Sequence, residues 1–269
     1  MTDVRAGRDA QEEAAAQPRS KQDLAKRAAG RKAAEVYGKD GMRLGLGSGT
    51  TSHWFVRELA VRVRDGLDVV GVPTSTATRD LARQLGIPLA DLNDVPELDV
   101  TVDGPDEIDP AGSMIKGGGA CLLWEKIVAR ASRRMVVVAD DTKVVDRLGA
   151  FPLPIEVLPF GWVSTHRLIA ELLAGAGHPD VPIERRVRDG RVVVTDSGNY
   201  LLDARLGAVG DPGSLAVDLN QIPGVVENGL FVGIADELVL GHPDESAEVV
   251  GIPLPAALRP RRTDADQEE

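Results

Sequence analysis

The sequence predicts an α/β protein: a doubly wound, Rossmann-like parallel sheet with a second, smaller α+β (ferredoxin-like) domain. Two observations carry this expectation. Apolar runs suited to buried strands alternate with helix-periodic segments up to about residue 149, the order that builds parallel sheets. Pro152, Pro154 and Pro159 then crowd a connection, and a strand, a helix, a hairpin, a strand and a further helix follow in the manner of a split βαβ unit. The expected division is 21–149 plus 226–251 for the larger unit and 150–225 for the smaller. Residues 1–20 and 252–269 are expected to be flexible tails, because neither carries an apolar stripe to bury.

Taken in order, residues 21–37 set Leu24, Ala28, Ala29, Ala33 and Val36 at helical spacing. The apolar run 42–46 reads as a strand ending in a glycine-rich turn, and His53–Val63 as a helix. Val69–Val72 is the next strand, and Thr76–Leu85 a helix stopped by Gly86 and Pro88. Leu98–Val102 alternates as a strand does, Ala120–Ala131 is helical, and Met135–Ala139 has the unbroken apolar character of a buried parallel strand. In the smaller unit, Ile155–Leu158 and Tyr200–Ala204 read as strands, Ser164–Leu173 and Pro212–Gln221 as helices, and Asp189-Gly190 as a hairpin turn. Residues 229–240 are expected to return to the main sheet.

Composition narrows the function. Aromatic residues are 3% of the 269, so the core must be filled by Val, Leu, Ile and Ala. A formal charge of −11, from 31 basic and 42 acidic residues, argues against a nucleic-acid partner while leaving room for one small anion held locally. No apolar run approaches the roughly 18–20 residues of a membrane span, so no membrane partner is expected. The N-terminus lacks the basic start and apolar stretch of a secretory signal, which gives a cytoplasmic expectation. The single cysteine, Cys121, excludes an internal disulfide and a multi-cysteine metal site, and His53, His166, His178 and His242 show no ligand-like spacing.

Four segments fall just after expected strands, where open α/β sheets bind ligands. In Gly45-Leu46-Gly47-Ser48-Gly49-Thr50-Thr51, glycines let backbone N–H groups face an anion at a helix N-terminus and hydroxyls add donors; the alternative is a tight turn with a capped helix. Asp103-Gly104-Pro105-Asp106-Glu107-Ile108-Asp109 packs four carboxylates into seven residues. Such carboxylates need cations, protons or solvent, so a solvated loop and a divalent-metal loop both stand as alternatives. Lys116-Gly117-Gly118-Gly119 precedes a helix whose buried face is expected to carry Ala120, Leu123, Trp124, Ile127, Val128 and Ala131. Glu125, about 100° past Trp124, sits at the edge of that stripe. There it is either a base with a raised pKa or an exposed glutamate beside Lys126. Lys143, in Asp140-Asp141-Thr142-Lys143, suits a phosphate, a sugar hydroxyl or plain solvent.

Standing as GLGSGTT, VDGPDEID, KGGGACLLWEKI and DDTK, these segments in this order resemble the type A ribose-5-phosphate isomerases. Phe151-Pro-Leu-Pro-Ile-Glu-Val, Pro159-Phe-Gly-Trp, Asp196-Ser-Gly-Asn and Ile222-Pro-Gly-Val-Val-Glu-Asn-Gly-Leu-Phe extend the likeness over residues 21–251. The resemblance implies interconversion of D-ribose 5-phosphate and D-ribulose 5-phosphate in the non-oxidative pentose phosphate pathway, without a metal or organic cofactor. It implies Glu125 as the base that moves a proton between C2 and C1 through an enediolate. Lys116 would stabilise the oxyanion, Asp103 and Asp106 would hold sugar hydroxyls, and one of the two would help open the furanose ring or shuttle hydroxyl protons. Ser48, Gly49, Thr50, Thr51, Gly104, Pro105, Gly117, Gly118, Gly119 and Lys143 would line the substrate site, with Arg27 as a further phosphate partner. A homodimer or homotetramer is implied, with exposed apolar surface on the smaller unit as its sign. Pro105, Trp124 and Asn228 depart from the family's usual Ala, Arg and Thr. A non-catalytic sugar-phosphate sensor on the same scaffold is the alternative, followed by a relative acting on other sugar phosphates or on coenzyme A thioesters.

Overall fold

Parallel strands with apolar residues on both faces need helices on both sides, and that is how the chain is wound. The computed structural model describes Pro18 and residues 20–254, so the tail expected at 1–20 and most of that at 252–269 lie outside the described residues. The elements run α1 (Lys21–Tyr37), β1 (Met42–Leu46), α2 (Thr50–Arg64), β2 (Val69–Pro73), α3 (Thr76–Gln84), β3 (Val100–Asp103), β4 (Glu107–Ile108), β5 (Met114–Ile115), α4 (Leu122–Arg130) and β6 (Met135–Asp140), followed by a 3₁₀ turn at Asp141–Lys143. Then come β7 (Leu153–Val157), α5 (Trp162–Gly175), β8 (Ile183–Arg185), β9 (Val187–Arg188), β10 (Arg191–Val192), β11 (Tyr200–Ala204), α6 (Pro212–Asn220), β12 (Val225–Asn228), β13 (Leu230–Phe231), β14 (Glu237–Gly241) and β15 (Ala247–Gly251).

The main sheet has the order β15-β14-β6-β3-β1-β2 and is parallel except for the β14–β15 pair. Alternate residues of β6 face opposite cores. Val136 and Val138 pack with Ala29, Ala33, Phe55 and Leu59 of α1 and α2, whereas Met135, Val137 and Ala139 pack with Leu122 and Ala129 of α4. The chain leaves β1 for β2 on one side and comes back to β3 on the other, so the strand order reverses between β1 and β3. A crevice opens at such a point, at the carboxyl ends of the strands.

The second sheet is antiparallel with the order β12-β7-β11-β8, the split βαβ arrangement, and α5 and α6 cover it through Ile169, Leu173, Leu215 and Leu219. The Asp189-Gly190 turn joins the short β9–β10 hairpin.

Several expectations need correction. The α2 helix begins at Thr50, three residues before His53, because Gly49 at φ +89° ends the loop and the next residues enter the helix directly. Residues 229–240 do not all return to the main sheet. Leu230 and Phe231 pair with Ile115 and Met114 in a three-stranded sheet of order β13-β5-β4, and only Glu237–Gly241 joins the large one. Residues 252–254, assigned to the C-terminal tail, are tied down: Leu254 is buried in the α4-side core and its N–H donates to the Pro110 carbonyl. Ser20, assigned to the N-terminal tail, caps α1 by accepting from Asp23 N–H.

Candidate active site

β1 and β3 bring two loops together. The chain after β1 passes so close to Asp103 that a Cβ on Gly47 would meet Asp103 Oδ1 at 2.3 Å, so only glycine fits there. Asp103, fully buried at the end of β3, accepts through Oδ1 from Ser48 N–H (3.0 Å), Ser52 Oγ (2.9 Å) and Gly104 N–H (2.8 Å). Its Oδ2 lies 3.0 Å from Lys116 Nζ.

Lys116 is placed from the other side. It follows β5, its N–H donates to Gly229 O (2.9 Å), and Asp106 N–H donates to Ile115 O (2.8 Å). The three-stranded sheet therefore sets both Asp106 and Lys116. The lysine is 1% exposed, and its ammonium donates to Gly104 O (2.6 Å) and sits 3.4 Å from Glu125 Oε1. Burial works against its charge, but Asp103 and Glu125 more than offset that and leave its pKa raised. The ammonium is thus held charged in a dry place.

Glu125 lies inward. The buried face of α4 is Leu122, Glu125, Val128 and Ala129, rotated from the expected stripe, with Ile127 47% exposed and Trp124 half-buried. Two anchors fix that rotation. Lys126 Nζ donates to Glu227 Oε1 (2.8 Å) and Asn228 O (2.7 Å), and Trp124 Nε1 donates to Ser197 Oγ (2.9 Å). Trp124 thus ties α4 to the turn before β11. Glu125 Oε1 takes the Cys121 thiol (3.4 Å) and faces Lys116, while its Oε2 is buried with no hydrogen-bond partner among the described residues. Burial raises the Glu125 pKa more than Lys116 lowers it, and the Asp103 charge adds to the rise.

The carboxylates of the acidic loop part company. Asp106 Oδ2 accepts from Gly118 N–H (2.7 Å), Glu107 from Gly149 and Phe151 N–H (2.7 and 2.5 Å), and Asp109 Oδ1 from Ala111 and Ser113 N–H (2.9 and 2.8 Å). Backbone amides hold them, so the loop is neither simply solvated nor a metal cage. Among the described residues no group of three or more His, Cys, Asp or Glu side chains could hold a metal ion.

A cavity of about 100 Å³ joins these parts. It is lined by Ser48, Gly49, Thr50, Thr51, Gly104, Pro105, Asp106, Lys116, Gly117, Gly118, Gly119, Glu125 and Lys143, and by Lys26, which the sequence reading passed over. Asp103 stands behind this lining. Arg27, named in advance as a phosphate partner, instead pairs with Glu245; one residue along α1 turns the side chain by about 100° and brings Lys26 to the cavity. The Ser48 hydroxyl is engaged with Thr74, Ser75 and Thr78 at 2.7–3.0 Å, which leaves Thr50, Thr51 and the amides of the first turn of α2 to face a ligand. Gly49 gives that turn no side-chain cap. The N-terminus of α2, which no N-cap side chain covers, forms a cationic mouth with Lys26 and Lys143 on the cavity that Glu125 also lines.

A family model described as ribose 5-phosphate isomerase A (phosphoriboisomerase A) matches residues 70–245. The chain belongs to the ribose 5-phosphate isomerase A family. It is 53% identical over 231 residues to ribose-5-phosphate isomerase A 2 of Yersinia pseudotuberculosis, covering 86% of this chain and 98% of that one. The identity is 57% over 213 residues to ribose-5-phosphate isomerase A of Nitrobacter hamburgensis, covering 79% and 91%. Among solved isomerases of the family, the ribose 5-phosphate isomerase of Plasmodium falciparum is similar at a TM-score of 0.81 and 31% identity, covering 85% of this chain and 98% of that one. A D-ribose-5-phosphate isomerase in complex with phospho-erythronic acid matches at 0.78 and 37%, covering 86% and 99%.

Proposed function

We propose that the chain interconverts D-ribose 5-phosphate and D-ribulose 5-phosphate by proton transfer through an enediolate. The observation that carries the reading is Glu125, a buried carboxylate in the cavity wall beside a charged lysine, whose Oε2 has no hydrogen-bond partner among the described residues. With the open-chain sugar bound, Oε2 takes the proton from C2 as the C1 carbonyl electrons move onto the C1 oxygen; the C2 hydroxyl proton then passes to that oxygen, and Glu125 returns its proton to C1 as the C2–oxygen bond becomes the new carbonyl. A fixed ammonium in a dry site stabilises that oxyanion far more than water would. Asp103 keeps Lys116 charged and in place, and Asp106, on the cavity wall, orients a sugar hydroxyl. Lys26, Lys143 and the first turn of α2 hold the phosphate. Anchored there, the phosphate steers the reacting carbons toward Glu125, so its binding energy serves the chemistry at the other end. No step requires a metal or an organic cofactor.

The two-unit division, 21–149 with 226–251 and 150–225, belongs to the same proposal, supported by separate sheets and separate cores, although β12 carries the second sheet on to Asn228, past the 225/226 boundary. A homodimer or homotetramer is supported by apolar side chains left in the open near the second sheet: Phe160 is 93% exposed and Val163 63%. A cytoplasmic location follows from a doubly charged sugar phosphate that does not cross membranes unaided. The test is a coupled assay on pure protein in EDTA. Ribulose 5-phosphate should form from ribose 5-phosphate at a rate that EDTA leaves unchanged. Tight binding without turnover would instead mark a sensor.

A further inference from the structure

The glycine loop after Lys116 has few means of holding itself still. Gly117 and Gly118 carry no side chain to restrict the peptide between them, and such a unit can rotate end over end at little cost. In the structure that peptide is gripped at both ends. Its N–H, on Gly118, donates to Asp106 Oδ2 (2.7 Å), and its carbonyl, on Gly117, accepts from Ala120 N–H within the loop (3.0 Å) and from Arg186 Nη1 outside it (2.7 Å). The next carbonyl, on Gly118, accepts from the same Nη1 (3.2 Å) and from Arg188 (3.4 Å). In a trans peptide the carbonyl and the following N–H point opposite ways. With its carbonyl held by Arg186 and Ala120, the peptide presents the Gly118 N–H on the opposite side, where Asp106 lies.

Arg186 comes from the second sheet, between β8 and β9, and its own direction is fixed. Its backbone N–H donates to Leu201 O (2.8 Å), and its guanidinium pairs with both oxygens of Asp203 on β11, Nε to Oδ2 at 2.8 Å. Its side chain is only 11% exposed. One planar group thus spends one edge on Asp203 and a remaining donor on the loop, a division that lysine cannot reproduce. A flipped Gly117–Gly118 peptide would set a carbonyl against the Asp106 carboxylate and cost Arg186 the shorter of its two Nη1 bonds to the loop.

We propose that Arg186 is a positioning residue for the isomerase site, holding the Gly117–Gly118 peptide so that Asp106 and the loop amides face the substrate. The kinetic consequence rests on the isomerase reading; the structural one does not. Amide exchange at Gly118 in ¹⁵N-labelled protein reads the second. Arg186→Ala should speed it by about tenfold, the equivalent of one lost hydrogen bond, while Val137 in the main sheet keeps its wild-type rate. In the coupled assay the same variant should lose about 10- to 100-fold in kcat, the range a small misplacement produces. Millimolar guanidinium should restore part of that loss, and Arg186→Lys should behave like alanine. If Arg186→Ala folds poorly, Asp203→Asn, which keeps side-chain volume, should shift both readouts the same way by less. Wild-type exchange at Gly118 in these variants overturns the proposal, as does a rate loss that follows the melting temperature and ignores guanidinium. Wild-type protein that fails to isomerise ribose 5-phosphate overturns the isomerase reading instead, and the exchange rate still decides the role of Arg186.

Discussion

Replacing Glu125 by glutamine should abolish turnover and, at the same time, make the protein more stable. The buried cluster holds one ammonium and two carboxylates, Asp103 and Glu125, so it carries an excess negative charge shut away from water. Because burial raises the Glu125 pKa, the folded protein keeps that proton at pH values where the unfolded chain has lost it. Stability from this group is therefore full below the ordinary glutamate pKa and is lost as pH rises through the folded one. Glutamine keeps the shape and removes the charge, leaving Lys116 matched by Asp103 alone. The relieved cost is that of a buried charge, about 1.4 kcal/mol for each tenfold change in its ionisation equilibrium. In a chain of this size that corresponds to a rise in melting temperature of roughly 2–4 °C per kcal/mol. The removed base should lower kcat by about 10²- to 10⁴-fold. Thermal melts of both proteins at pH 5 and pH 8, with the coupled assay alongside, measure both effects; the stability gain should be larger at pH 8. Wild-type turnover in Glu125→Gln would refute its role as the base. A lower melting temperature at pH 8 would refute the account of the buried charge.

Other outcomes follow from the same geometry. The acid limb of the kcat/KM profile should lie above the ordinary glutamate value of about 4.3, since activity disappears as pH falls through the raised pKa of the base. Asp103→Asn should move that limb to lower pH, because the Asp103 charge contributes to the rise; an unmoved limb would sever that link. Lys116→Met should shift the limb upward and cut kcat by about 10²- to 10³-fold, as loss of an oxyanion partner does. Lys26→Ala or Lys143→Ala should lower kcat/KM for ribose 5-phosphate by about tenfold, or about 1.4 kcal/mol, through a higher KM together with a lower kcat. Wild-type kcat/KM in both variants would move those lysines away from the phosphate.

Much of the scaffold was legible because its physics is local. The unbroken apolar run at Met135–Ala139 reads as a strand buried on both faces, and Gly86 and Pro88 stop a helix by rules that act over a few residues. What escaped depends on distant partners. The two-residue strands at Glu107, Met114 and Leu230 exist because they pair with one another, and no periodicity shows in so short a segment. The inward turn of Glu125 is set by Lys126 reaching Glu227 and by Trp124 reaching Ser197, contacts with no trace in the pattern of α4 itself. Choosing Arg27 over Lys26 was a matter of one residue of helical phase. The fates of Asp103, Asp106 and Glu107 were hidden for another reason: their partners are mostly backbone amides, which every residue but proline supplies.

The hydrogen bond from Lys116 to Gly229 has a consequence for synthesis. A ribosome releases the lysine long before it releases the strand that seats it, and the whole second sheet is made in between. Until β13 arrives, the ammonium lacks its place beside β5, and a chain cut short before it would keep every carboxylate of the site without the geometry to use them. Catalytic competence should therefore appear late and all at once, as a property of the finished polypeptide.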